Sequence, residues 1–146
     1  MVTLSPNTVY TLSVTGVTDL TGVVAINPPV NTSFTTGATV DFLAPLVTSV
    51  TPANGATNIA RSTSIQLQFN KPINPLTITT GTFIVSVSSG GNVAGTISLA
   101  SDGKSATFTP QSSLVPLTTH NVQISGAADL GGQLIASFQA NFTTGI

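Results

Sequence analysis

Aspartate, lysine and a single histidine carry nearly all the ionic chemistry this sequence has. Its 146 residues include four acidic side chains, all aspartate, three basic ones, one histidine and no cysteine. The missing cysteine removes disulfides, thiolate nucleophiles and cysteine-based metal sites together. Asp19 and Asp129 stand in one pattern, Gly-x-x-Asp-Leu-x-Gly, at residues 16–22 and 126–132. A carboxylate in such a place can ligate calcium, or it can close an Asx turn by accepting from backbone N–H groups that follow it. Calcium takes roughly six to eight oxygens and usually several carboxylates, so the turn is the expected role. The candidate calcium ligands are Asp19, Asp41 and Asp129, with Asp41 placed where it could join a loop aspartate between two domains. The expectation is no metal and no cofactor.

His120 aligns with Tyr10, the only tyrosine, at the start of similar segments. A position that accepts both is expected to be a packing position and not a catalytic one. Serine and threonine are plentiful, but a nucleophile needs a base and an orienting acid, and no Gly-x-Ser-x-Gly elbow is present. No catalytic residue is expected, and no enzyme. A Lys-Asn cross-link from Lys71 or Lys104 would need a buried acid beside it, whereas the aspartates fall in expected turns. Asn31-Thr32-Ser33 and Asn141-Phe142-Thr143 match the glycosylation pattern, which is frequent by chance in a chain so rich in Asn and Thr.

Charged residues make up 5% of the chain and the formal net charge is -1, so no electrostatic footprint for nucleic acid or anionic lipid exists. No apolar run approaches the roughly 20 residues of a membrane helix. The first ten residues, MVTLSPNTVY, lack both the basic and the apolar region of a signal peptide. With 40% apolar residues and little charge, the composition is the reverse of a disordered chain.

The elements that must position these residues come into view once the chain is compared with itself. Leu4, Pro6, Thr8, Gly16, Asp19-Leu20 and Gly22 recur 110 positions later as Leu114, Pro116, Thr118, Gly126, Asp129-Leu130 and Gly132. Phe34-Thr35-Thr36-Gly37 returns 108 positions later as Phe142-Thr143-Thr144-Gly145. A period near 110 suits an Ig-like sandwich and exceeds the solenoid repeats. The reading is therefore the end of one repeat at 1–37, an extended linker at 38–45 and a complete domain at 46–146. Within that domain, period-2 alternation predicts strands at 46–50, 64–69, 82–88, 94–99, 105–109 and 120–125, with a last strand through Phe138, Ala140 and Phe142. Ser89-Gly90-Gly91-Asn92 and Asp102-Gly103 supply hairpin turns. The expected class is all-β, an antiparallel sandwich of seven strands preceded by the last two strands of another repeat.

Four phrases carry a resemblance: Val50-Thr51-Pro52-Ala53-Asn54-Gly55-Ala56-Thr57-Asn58; Phe69-Asn70-Lys71-Pro72-Ile73-Asn74-Pro75; Ser101-Asp102-Gly103-Lys104 before Phe108-Thr109-Pro110; and the closing Phe-Thr-Thr-Gly. In this order the chain resembles the bacterial Ig-like domains of S-layer proteins and large surface adhesins. The resemblance implies an extracellular or cell-surface location and a structural module in a tandem array, an S-layer or a filament. The alternative it implies is an adhesin module binding glycan or protein through polar loops. Expected partners are copies of the chain itself or neighbouring Ig-like repeats. The two strands of residues 1–37 leave one apolar face uncovered; a neighbouring chain in a head-to-tail filament or docking onto the complete domain would cover it, and the alternative is a plain boundary cut from a longer array.

Overall fold

The computed structural model describes residues 4–18, 20–22, 30–37 and 41–146. Asp19 and residues 38–40 of the expected linker lie outside the described residues. Backbone packing divides the chain into two units, Met1–Asp41 and Phe42–Ile146.

In the second unit, apolar side chains at every other position decide which face of each strand turns inward. It contains β3 (Val47–Thr51), β4 (Ala56–Ile59), β5 (Ile65–Phe69), β6 (Phe83–Val87), β7 (Gly95–Leu99), β8 (Ser105–Pro110), β9 (Thr119–Ile124) and β10 (Phe138–Thr144). These form two four-stranded sheets, ordered β4-β10-β9-β6 and β3-β5-β8-β7. Every strand pair is antiparallel except β10 with β4, which is parallel. Ile65, Leu67 and Phe69 of β5 point into the core while Gln66 and Gln68 are half-buried on the other face. They meet Phe83, Val85, Ala106, Phe108, Val122, Ile124, Ala140 and Phe142 from the neighbouring strands. Taking a side chain of this size out of water contributes about 1.5–3 kcal/mol.

Eight strands thus stand where seven were expected, the additional one being β4. Ala56-Thr57-Asn58-Ile59 is short, and Asn58 holds a positive φ of 56°, a turn-like backbone. Its strand character comes from pairing with β10, a contact with no local signal. Phe138, which shares a face of β10 with the buried Ala140 and Phe142, is only half-buried because it opens the strand. Residues 42–45 pack with the second unit. Pro45 is buried, its carbonyl accepts from the Ala136 N–H at 3.0 Å, and the Lys71 ammonium donates to the Leu43 carbonyl.

Among its described residues the first unit has one antiparallel strand pair, β1 (Val9–Val14) with β2 (Val30–Thr35). Its register sets Tyr10 opposite Phe34, as His120 stands opposite Phe142 in the β9–β10 pair. The hydrogen bonds match as well. Thr36 Oγ1 accepts from the Thr8 N–H (2.9 Å) and donates to the Ser5 carbonyl (2.6 Å); Thr144 Oγ1 accepts from the Thr118 N–H (3.1 Å) and donates to the Val115 carbonyl (2.6 Å). Asn7 and Leu117, with φ of 49° and 50°, donate to the carbonyls of Gly37 and Gly145. A leucine in the left-handed region is uncommon, so the shared backbone is set by the hairpin and not by residue type. The faces differ in cover. Val122, Ile124 and Phe142 are at most 1% exposed, whereas their counterparts Leu12, Val14 and Phe34 are 56%, 36% and 50% exposed.

Candidate functional site

Two places in the second unit hold buried polar chemistry. The first lies where the β5–β6, β7–β8 and β9–β10 connections meet. There the Ile73 N–H donates to the Gly103 carbonyl (2.9 Å) and the Asn74 N–H to the Ala128 carbonyl (2.8 Å). These bonds bring residue 73 beside Asp129 in an isolated bridge. Asp129 is 5% exposed. Its Oδ1 accepts from the Gly131 and Gln133 N–H groups, each at 2.9 Å, which is the geometry of an Asx turn with one further donor. Its Oδ2 lies 3.4 Å from the Lys71 ammonium. The carboxylate is therefore engaged on both oxygens, and the adjacent positive charge opposes a cation there.

Of the other candidate calcium ligands, Asp41 is exposed at the end of the first unit, and Asp19 lies outside the described residues. Among the described residues no three His or Asp side chains come together to hold a metal ion. The Lys71–Asp129 pair escaped sequence reasoning, which placed the aspartates in turns and not beside Lys71. Nothing local signals the pair, since the loops that carry it are brought together only by the sheets. Asn31 and Asn141, the glycosylation-pattern asparagines, are both exposed on strands.

The second place is His120, whose side chain is 0% exposed. As the second residue of β9 it turns inward and stacks on Phe142, with centroids 5.4 Å apart and planes 15° from parallel. Its Nδ1 lies 3.0 Å from the Thr118 carbonyl. Its Nε2 is buried without a hydrogen-bond partner among the described residues. Loss of hydration holds the imidazole pKa below its ordinary value of 6.5, against a smaller opposing effect of the Thr118 carbonyl. Among the described residues no carboxylate bonds the ring and no serine or threonine hydroxyl donates to it. No helix among the described residues is long and apolar enough to cross a membrane.

With this geometry in hand, likeness to known proteins can be stated. Among solved structures, domains 1–6 of the surface layer protein SbsC are 27% identical over 70% of this chain and 14% of that one, with a TM-score of 0.55. PcoC, a methionine-rich copper resistance protein from Escherichia coli, is 20% identical over 70% of this chain and 99% of that one, at 0.57. An LD transpeptidase, LdtMt1, solved with imipenem, is 19% identical over 70% of this chain and 41% of that one, at 0.50. The latter two share the fold alone. The chain spans only 14% of the S-layer protein it resembles. No curated protein matches it. The family model described as bacterial Ig-like domain matches residues 41–144, well over half of the sequence. The chain belongs to the bacterial Ig-like domain family.

Proposed function

We propose that the chain is a structural module of a cell-surface protein, one segment of a tandem Ig-like array of the S-layer type. The observation that carries this reading is the recurrence of one closing hairpin, with the same register and the same threonine clasp, in both units. In this reading residues 1–37 close one repeat and the following unit is a whole one. The likeness to surface layer protein SbsC supports the location and the class. The module is no enzyme and needs no cofactor. Its partners are neighbouring Ig-like repeats or copies of the chain, which bury the apolar face of Leu12, Val14 and Phe34. The test is antibody labelling of intact source cells against residues 42–146. Labelling without permeabilisation is the expected result, and signal appearing only after permeabilisation overturns the proposal.

A second reading, a glycan-binding adhesin module, draws on a shallow concavity of about 370 Å³ lined by Asn54, Ser86, Asn121, Gln123, Gln139 and Asn141. Amide side chains offer both donors and acceptors to sugar hydroxyls. Binding on a glycan array that Asn121→Ala and Gln139→Ala abolish would favour this reading over the first.

A further inference from the structure

The hairpin of the second unit carries on its outer side a strand that the first hairpin lacks among the described residues. On the side away from β10, β9 pairs with β6 in five unbroken antiparallel pairs, in which Val85 faces Val122, Ser86 faces Asn121 and Val87 faces His120. The Ser88 N–H donates to the Thr119 carbonyl at 2.9 Å, so alternate residues of β9, beginning at Thr119, turn their backbone groups toward β6. The counterparts of these residues in β1 are Val9, Thr11 and Ser13. They turn away from β2, because the Thr36 N–H donates to the Thr8 carbonyl at 3.0 Å and bonded positions alternate along an antiparallel pair. The sheet that holds β1 ends there, at two strands.

Open edges ordinarily carry a device against pairing, such as a charge, a proline, a bulge or a covering segment. In the second unit β3 and β4 pair with shifted register. The outer side of β6 is covered by the segment that follows it, the Val93 N–H donating to the Val85 carbonyl (2.7 Å) and the Val87 N–H to the Gly91 carbonyl (3.0 Å). Among the described residues β1 has no such device. Val9-Tyr10-Thr11-Leu12-Ser13-Val14 contains no charge, proline or glycine, and its six pairs with β2 run in unbroken register.

We propose that the outer edge of β1 binds a strand of the β6 type from a neighbouring Ig-like repeat, antiparallel, with the counterpart of Ser86 opposite Thr11. The proposal rests on the reading of residues 1–37 as the end of a repeat and names the strand that meets it. This register sets the apolar residues of the incoming strand beside Tyr10, Leu12 and Val14, as Val87 and Val85 stand beside His120 and Val122. It sets small polar residues beside Thr11 and Ser13. The edge of β2 is the poorer site, since its counterpart β10 meets β4 in two pairs with a register shift between them.

The experiment measures amide hydrogen exchange of the full chain, residue by residue, with and without a synthetic peptide of residues 79–89. Exchange at Val9, Thr11 and Ser13 is expected to slow by about tenfold at saturation, with the second unit unaffected. The same peptide carrying Val85→Asp places a charge on the apolar face and is expected to have no effect, a comparison that leaves the chain itself unchanged. Thr11→Pro removes the N–H at the centre of the edge and is expected to abolish the response to the parent peptide. No slowing at these three amides, slowing confined to the second unit, or equal slowing by the Val85→Asp peptide overturns the proposal. Cell-surface labelling separates this failure from that of the reading beneath it, since a labelled surface protein whose β1 edge takes no strand loses only the present proposal.

Discussion

Lys71 and Asp129 are 58 positions apart in sequence, yet their charged groups lie 3.4 Å apart where the β5–β6 and β9–β10 loops meet. The carboxylate has two separate roles there, as an acceptor for the Gly131 and Gln133 N–H groups and as the partner of Lys71. Two substitutions separate them. Asp129→Asn keeps an acceptor oxygen for the turn and removes a charge that is largely out of water beside Lys71, so its cost is expected to be smaller than that of Asp129→Ala. Asp129→Ala also leaves the two N–H groups without their acceptor and is expected to cost about 1–3 kcal/mol. Urea unfolding of both variants measures the difference; equal losses would mean that the turn bonds contribute nothing.

The engaged state of Asp129 bears on calcium. Addition of a chelator is expected to leave the melting temperature unchanged. A ligand held only by the native state stabilises it by mass action, so a fall of several degrees, reversed by calcium, would show that an aspartate ligates the ion.

His120 sets a pH dependence whose sign follows from its lowered pKa. Above the ordinary value of 6.5 the ring is neutral in both folded and unfolded chains, and stability is level. As pH falls below 6.5 the unfolded chain takes up a proton that the folded chain refuses, so stability declines until the lowered folded pKa is passed. Urea midpoints between pH 8 and pH 5 are expected to fall for the parent chain and to fall less for His120→Tyr. Equal slopes in the two proteins would refute burial of a neutral ring.

Gly95 of β7 lies beneath the ring of Phe108. A Cβ at residue 95 would overlap that ring and lie 2.7 Å from the Thr109 carbonyl oxygen. Gly95→Ala is therefore expected to destabilise by about 1–3 kcal/mol, although alanine is ordinarily the better strand residue. Phe69→Ala, which empties a core position, is expected to cost about 3–5 kcal/mol. Melting curves of both variants check the order, and a neutral Gly95→Ala would contradict the close approach.

The uncovered face of the first hairpin makes a statement about association. Deletion of residues 1–37 is expected to leave the second unit folded and to abolish any self-assembly of the full chain. Sedimentation of both chains reads this out, and unchanged mass and assembly after deletion would sink the filament reading.

Alternation of side chains was sufficient to place Ile65, Leu67, Phe69, Phe83, Val85, Phe108, Val122 and Ile124 in a core, and all are buried. The recurrence at spacings of 110 and 108 likewise matches β1–β2 with β9–β10, residue for residue. Both signals are local, since a strand's period of two and a turn's glycine are properties of adjacent residues. The two polar sites belong to another class. That Asp129 meets Lys71, that Ala56–Ile59 becomes a strand, and that His120 keeps an unpartnered nitrogen all depend on groups distant in sequence. Charge, pairing and the fate of a buried lone pair are decided by what lies across the space between sheets, and only the folded chain brings those neighbours together.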